Sequence, residues 1–191
     1  MQTSADRAMT SADAPPELVR AAFRDLHGAR LHGFALLLTL GDRARAARLT
    51  AKALAAGAAR ADELRHPERA AAWLRRHVTR AAEHARGARR QRPTPENRLA
   101  LEELGADVAV FGGLSGLTTR DRAALVADSV ERLDRGDVAT VVGVNGARLD
   151  RLIHAVRARY AAAVARALDD ERATSGPTAA RIRAVAARAL R

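Results

Sequence analysis

The chain has 191 residues, enough for one medium domain or two small ones, and a formal net charge of +11. It has no cysteine, which excludes disulfides and thiolate metal sites, and no apolar run approaches the length of a membrane span. Hydrophobic residues make up 48% but aromatics only 3%, so a core must come mainly from Ala, Leu and Val on closely packed helices. Strand formers never gather into alternating runs, and the expected fold is all-α. The positive charge favours a polyanionic partner, either nucleic acid or an acidic protein surface. Lys52 is the only lysine, so the basic residues are almost all Arg, a bias that a GC-rich coding sequence also produces. No basic segment followed by an apolar one opens the chain, so no signal peptide is expected and the cytoplasm is the expected compartment.

Residues 1–14 are small and polar without periodicity, and read as a disordered tail. Pro15-Pro16 opens a helical stretch with Leu18, Phe23, Leu26, Leu31, Phe34, Leu37 and Leu38 as its apolar positions. Gly28 and Gly33 predict a kink or a break in it. Gly41-Asp42 ends that stretch and caps a helix running to about Leu64, with Arg43, Arg45, Arg48 and Lys52 on its exposed side. Pro67 starts a third helix, anchored by Trp73, Leu74 and Val78 and running to about Arg90. Between Arg69 and Arg92 many arginines face a single acid, Glu83. A basic helix with an aromatic residue suits DNA backbone or unpaired bases, although a lone Trp is as readily a core residue. Arg92-Pro93-Thr94-Pro95-Glu96-Asn97 reads as a linker. The expected organisation is therefore a helical domain at 15–90, a linker at 91–106, a second domain at 107–170 and a separate C-terminal helix at 171–191, set off by Gly176-Pro177.

The second half carries the most informative pattern. Thr118 with Asp121 three residues later is a capping-box start, followed by Leu125, Val126, Val130 and Leu133 at helical spacing. Asp134-Arg135-Gly136 breaks that helix, and Asp137 is the expected cap of a short one bearing Val138, Val141 and Val142. Gly143-Val144-Asn145 then makes a tight turn into a longer helix. Its apolar stripe is Leu149, Leu152, Ile153, Val156 and Tyr160, with Arg148, Arg151, His154 and Arg157 off the stripe. A short helix, a glycine turn and a longer helix with a basic outer face form the helix-turn-helix pattern, whose second helix enters the major groove of duplex DNA. The competing reading is an ordinary three-helix unit with a solvated basic face.

Catalytic constellations are missing from the sequence, and no enzyme is expected. There is no phosphate-binding glycine motif, and no pair of histidines spaced with a Glu as in a helical zinc site. Ser115 in Gly-Leu-Ser-Gly lacks the spacing of a nucleophile elbow. No metal and no cofactor is expected.

Taken in order, the two halves resemble bacterial sigma factors of the extracytoplasmic-function type. Arg30-Leu31-His32-Gly33-Phe34-Ala35 and Leu40-Gly41-Asp42-Arg43 are similar to the start of that family's region two, and Ala72-Trp73-Leu74-Arg75-Arg76 to its Trp-containing helix. Leu117 through Arg159 follows region four, most closely from Val144 to Leu149 and from His154 to Arg159. The resemblance spans about Leu18 to Tyr160. It implies two helical domains, a promoter-melting region two and a helix-turn-helix region four. It also implies a transcription initiation factor that binds RNA polymerase core and promoter DNA, with an anti-sigma factor as a further partner. Trp73, Arg75, Arg76 and Arg80 would then face the minus-ten strand, and Arg148, Arg151, His154 and Arg157 the minus-thirty-five duplex. Arg48, Leu49 and Lys52 would lie in the polymerase-binding segment. The chain departs from the family at that segment, where acidic residues and a Gln-Glu pair are usual, and at Arg80, His84 and Asp150. The departures support an alternative, a sigma-like regulator that binds polymerase or another protein without initiating transcription. A helix-turn-helix repressor with a ligand-binding first half is a third reading.

Overall fold

The structure, a computed structural model, describes residues 16–64, 66–84 and 94–189, with the side chains of Pro16 and of residues 173–189 outside the description. The tail expected at residues 1–14 and the basic positions Arg86, Arg89, Arg90 and Arg92 lie outside it too. Among the described residues every regular element is helical. They are α1 (Pro16–Leu38), α2 (Arg43–Ala58), α3 (Pro67–His84), α4 (Pro95–Glu102), α5 (Val108–Ser115), α6 (Thr119–Leu125), α7 (Arg135–Val142) and α8 (Gly146–Ala189).

Helix α1 runs unbroken through Gly28 and Gly33, where a break was expected. Each glycine costs about 1 kcal/mol relative to Ala, which the full burial of Leu31, Phe34 and Leu38 on one face outweighs. Leu18 and Leu26, expected on that face, are instead 58% and 62% exposed. The helix ends with Leu40 (φ 55°) and Gly41 (φ 87°) in the left-handed region, and the Gly41 N–H returns to the Leu36 carbonyl at 2.9 Å. A side chain at Gly41 would meet the Asn97 carbonyl oxygen at 1.9 Å, so α4 passes directly over this turn. Asp42 then caps α2 by accepting the Arg45 N–H at 2.9 Å. Helix α2 stops at Ala58, short of Leu64, and packs on α1 and α3 through Ala46, Leu49 and Ala53.

The expected linker is partly structure. Thr94 caps α4, accepting the Asn97 N–H at 3.2 Å, and Leu101 is completely buried. Gly112 and Gly113 belong to a helix, α5, which Asp107 caps at its start and Gly116 at its end. It stays helical because α8 crosses it closely: Gly112, Gly113 and Gly116 face Ala167, Tyr160 with Val164, and Ala163. Arg122 fastens the end of α5 to α6 by donating to the Leu114 and Leu117 carbonyls at 3.3 and 3.1 Å. Burial first, then the neighbouring Arg45, lowers its pKa to about 10 against the opposing pull of Asp121, so it remains charged at neutral pH.

Thr118 caps α6 as expected, accepting the Asp121 N–H at 3.2 Å. The helix then closes with a π turn at Val126–Val130, the Glu131 N–H reaching the Val126 carbonyl at 2.9 Å. The extra residue shifts the phase, so Val130 is 63% exposed instead of buried. The cap of α7 is Asp134, which accepts the Asp137 N–H at 2.9 Å; Asp137, the expected cap, lies inside the first turn. Helix α8 continues through Gly176-Pro177 to Ala189, where a separate C-terminal helix was expected. Proline there removes one N–H and crowds one carbonyl, but the Ala- and Arg-rich flanks are strong helix formers.

The two halves were expected as separate domains. Their buried residues instead join one core: Phe34, Leu38, Leu74 and Val78 from the first half with Leu125, Val126, Val138 and Val141 from the second. Helix α3 packs against α6 and α7, and α1 against α6.

Candidate nucleic-acid interface

Helices α7 and α8 are joined by a short turn, Gly143 to Asn145, whose geometry follows from its sequence. Gly143 sits just past α7 at φ 68°, a conformation a glycine adopts without strain. The Gly143 N–H reaches the Thr140 carbonyl at 3.2 Å and the Val144 N–H the Ala139 carbonyl at 3.1 Å, the paired bonds of a Schellman ending. Asn145 caps α8, its side chain accepting the Arg148 N–H at 3.1 Å. Two arginines from other elements complete the turn. Arg76 of α3 donates to the Thr140 carbonyl and Arg120 of α6 to the Val142 carbonyl, each at 3.1 Å. Both place positive charge at the negative end of α7.

On α8, Leu149, Ile153 and Val156 are buried, Leu152 and Tyr160 partly so. Arg148, Arg151 and His154 are exposed and have no side-chain partner among the described residues. Arg157 is also exposed, but pairs with Asp128 at 2.8 Å, and Arg159 pairs with Asp121 at 3.2 Å. Asp150, the acid in the first turns of this helix, is paired with Arg135 at the start of α7. The outer face therefore offers two arginines and a histidine, with its carboxylate already neutralised. Arginine forks suit base edges and phosphates alike.

The expected residues of α3 do not form one surface. Arg75 is buried and makes a two-pronged ion pair with Glu131, and its guanidinium lies 5.8 Å from the centre of the Phe34 ring. Arg76 is committed to α7. Arg75 is hidden from solvent and Arg76 only partly exposed, because α3 is covered by the second half on that side. Arg80 is exposed. Trp73 is half-buried, with the His77 ring stacked on it at 5.3 Å and the Arg60 guanidinium 5.7 Å from its centre. The His77 pKa is lowered by burial first and then by Lys52, Arg60 and Arg80, so the face bearing Trp73 is a cluster of positive charge. In the α2 segment Arg48 and Lys52 are exposed, but Leu49 belongs to the core and cannot also touch a partner.

Sequence reasoning missed Glu131, Arg120 and Arg135. The first two carried no sequence signal, since their roles depend on contacts with other elements. Arg135 could have been suspected from its place beside the cap of α7. Among the described residues no group of His, Asp and Glu could hold a metal ion, and no helix is long and apolar enough to cross a membrane. Compared with protein-family models, curated proteins and solved structures, the chain matches none.

Proposed function

We propose that this chain is a sigma-factor-like DNA-binding protein that directs RNA polymerase core to promoters from the cytoplasm. Its helix-turn-helix, α7 and α8, reads duplex DNA. The observation that carries this reading is the seating of α8. Leu149, Ile153 and Val156 hold it against its neighbours, and a doubly braced Schellman turn sets its angle, so that Arg148, Arg151 and His154 project outward. The exposed Arg48 and Lys52 on α2 are the polymerase-facing residues, and an anti-sigma factor is a further partner.

The test is duplex binding over a series of salt concentrations, followed by run-off transcription with core polymerase. Arg148→Ala with Arg151→Ala is expected to weaken duplex binding and to flatten its salt dependence by about two units, roughly one for each arginine withdrawn from a phosphate. Unchanged binding would remove α8 from the interface. One observation favours a second reading: Arg75 and Arg76 are occupied within the protein, which suits a regulator that binds polymerase without melting promoters. Binding to core polymerase without run-off product would select that reading.

A further inference from the structure

The end of α7 is gripped from two sides. Arg76 of α3 donates from Nη1 to the Thr140 carbonyl, and Arg120 of α6 from Nε to the Val142 carbonyl, both at 3.1 Å. Carbonyls two residues apart lie about 200° apart around a helix axis, so the two arginines reach the α7–α8 turn from opposite sides. The Arg76 guanidinium lies over Gly143, where a Cβ would stand 3.4, 3.6 and 3.7 Å from its Nη1, Cζ and Nη2. Arg76 is partly exposed and Arg120 exposed.

Capping alone does not account for both. The Schellman ending already gives the Thr140 carbonyl the Gly143 N–H. Each arginine also spends only one nitrogen on its carbonyl. The rest of each fork, Nε and Nη2 of Arg76 and both Nη atoms of Arg120, has no carboxylate partner among the described residues. Arg75, Arg157 and Arg159 differ in this, since each holds a carboxylate. A cation fixed at one end and open at the other is preorganised for an anion, because it gives up less rotamer freedom on binding.

The neighbouring helix identifies the anion. Asn145 caps α8 directly after the turn, and Arg148, whose N–H that cap holds, begins the exposed basic face. The major groove is about 12 Å wide and walled by a phosphate backbone on either side. A helix with its side chains is about 10–12 Å across, so arginines on the two sides of the α7 end are spaced to meet one wall each. Helix α3 is fixed in this place. Leu74 and Val78 share the core with Val138 and Val141, and the neighbouring Arg75 holds Glu131.

We propose that Arg76 and Arg120 are duplex-phosphate contacts, one for each strand bordering the major groove, so that α3 of the first half belongs to the same DNA-binding surface as α8. The inference rests on the reading of α8 as a duplex-binding helix. The shared core then acquires a role in binding: it holds an arginine of the first half in register with the helix that enters the groove.

The experiment uses the full chain and a short DNA duplex, with binding measured over a series of salt concentrations. Arg76→Gln and Arg120→Gln each keep an amide donor and remove the charge. Each is expected to flatten the dependence of log K on log salt by about one unit, and the two together by about two. Arg30→Gln removes the same charge from an exposed position on α1 and is expected to leave the salt dependence unchanged, which separates contact from net charge. Circular dichroism checks that each variant is helical. An unchanged salt dependence in either Arg76→Gln or Arg120→Gln overturns the two-sided contact. Weaker binding with an unchanged salt dependence overturns it too, since that is the result of arginines that only position the turn. If a variant does not fold, phenylglyoxal modification of the native chain decides instead. Duplex is expected to shield both arginines, read by peptide mass spectrometry, and an unshielded Arg76 or Arg120 overturns the proposal. The Arg148→Ala, Arg151→Ala variant separates this inference from the reading it rests on. If its salt dependence flattens and that of the Gln variants does not, α8 binds duplex and the two-sided contact alone is overturned. A native chain that binds no duplex overturns both.

Discussion

The crossing of α5 and α8 gives the sharpest test of the packing, because two effects of opposite sign compete there. Gly112 and Gly113 are helical residues, and Gly→Ala in a helix interior ordinarily stabilises by about 1 kcal/mol. Here a methyl on Gly112 would lie 2.2 Å from the Ala167 Cβ. Carbon atoms in contact prefer at least about 3.5 Å, so the helices would have to separate by about 1.3 Å. Neither methyl can rotate away, since each is fixed directly to a helix backbone. Overpacking of this kind costs about 1–3 kcal/mol. At the upper end, less the propensity gain, Gly112→Ala is expected to destabilise by about 2 kcal/mol. Urea unfolding followed by circular dichroism measures it. The double variant Gly112→Ala with Ala167→Gly moves the methyl across the contact and cancels the propensity change, so it is expected to behave nearly as the parent. If Gly112→Ala alone raises stability by about 1 kcal/mol, propensity governs and the close crossing is refuted.

Two further outcomes follow from charge. His27 and His77 both have pKa values lowered from 6.5, by burial first, then by Arg75 for His27 and by Lys52, Arg60 and Arg80 for His77. The folded state thus binds their protons less readily than the unfolded chain, so their stability contribution is complete above about pH 6.5 and declines as the pH falls through the lowered values. Thermal melts across that range are expected to show a falling Tm toward acid, and His27→Asn with His77→Gln to flatten the fall. Asp150→Asn is expected to leave the melt nearly unchanged, since its pair with Arg135 is exposed on both sides. It releases Arg135 for a phosphate, and duplex binding should tighten with a salt dependence steeper by about one unit; an unchanged salt dependence would place this edge of α8 away from DNA.

Local signals were the legible part of the sequence. Thr118, Asp42, Gly143 and Asn145 act where their types and positions indicated, because a cap or a turn needs only its own few neighbours. The stripe of Leu149, Ile153 and Val156 was legible for the same reason: a long amphipathic helix declares its buried face. Tertiary contacts were not legible. Leu18 and Leu26 share the type of Leu31 and Leu38 but lie where α1 has little to pack against. Arg75 and Arg80 look alike in the sequence, yet one is buried by the second half and the other exposed. The π turn moved Val130 outward because a single inserted residue rotates everything after it, and periodicity has no symbol for an insertion. That Gly112 and Gly113 sit in a helix was not legible either, because their need for close approach is written in α8, far along the chain.

The placement of the acids, more than the number of arginines, decides which cations can serve an outside partner. Composition alone set the net charge at +11 without saying where the excess lies. Among the described residues, six carboxylates are drawn into internal roles. Asp42, Asp107 and Asp134 cap helices, while Asp121, Asp128 and Glu131 hold Arg159, Arg157 and Arg75. Each such pairing with an arginine removes it from the surface charge available to a polyanion. Arg148 and Arg151 escape because the acid between them, Asp150, is turned to Arg135. Arg80, Arg48 and Lys52 escape on the first half. A polyanion approaching this protein therefore meets two separate positive faces, α8 on one half and the exposed cations of α2 and α3 on the other. A buried ion pair, Arg75 with Glu131, joins the two halves.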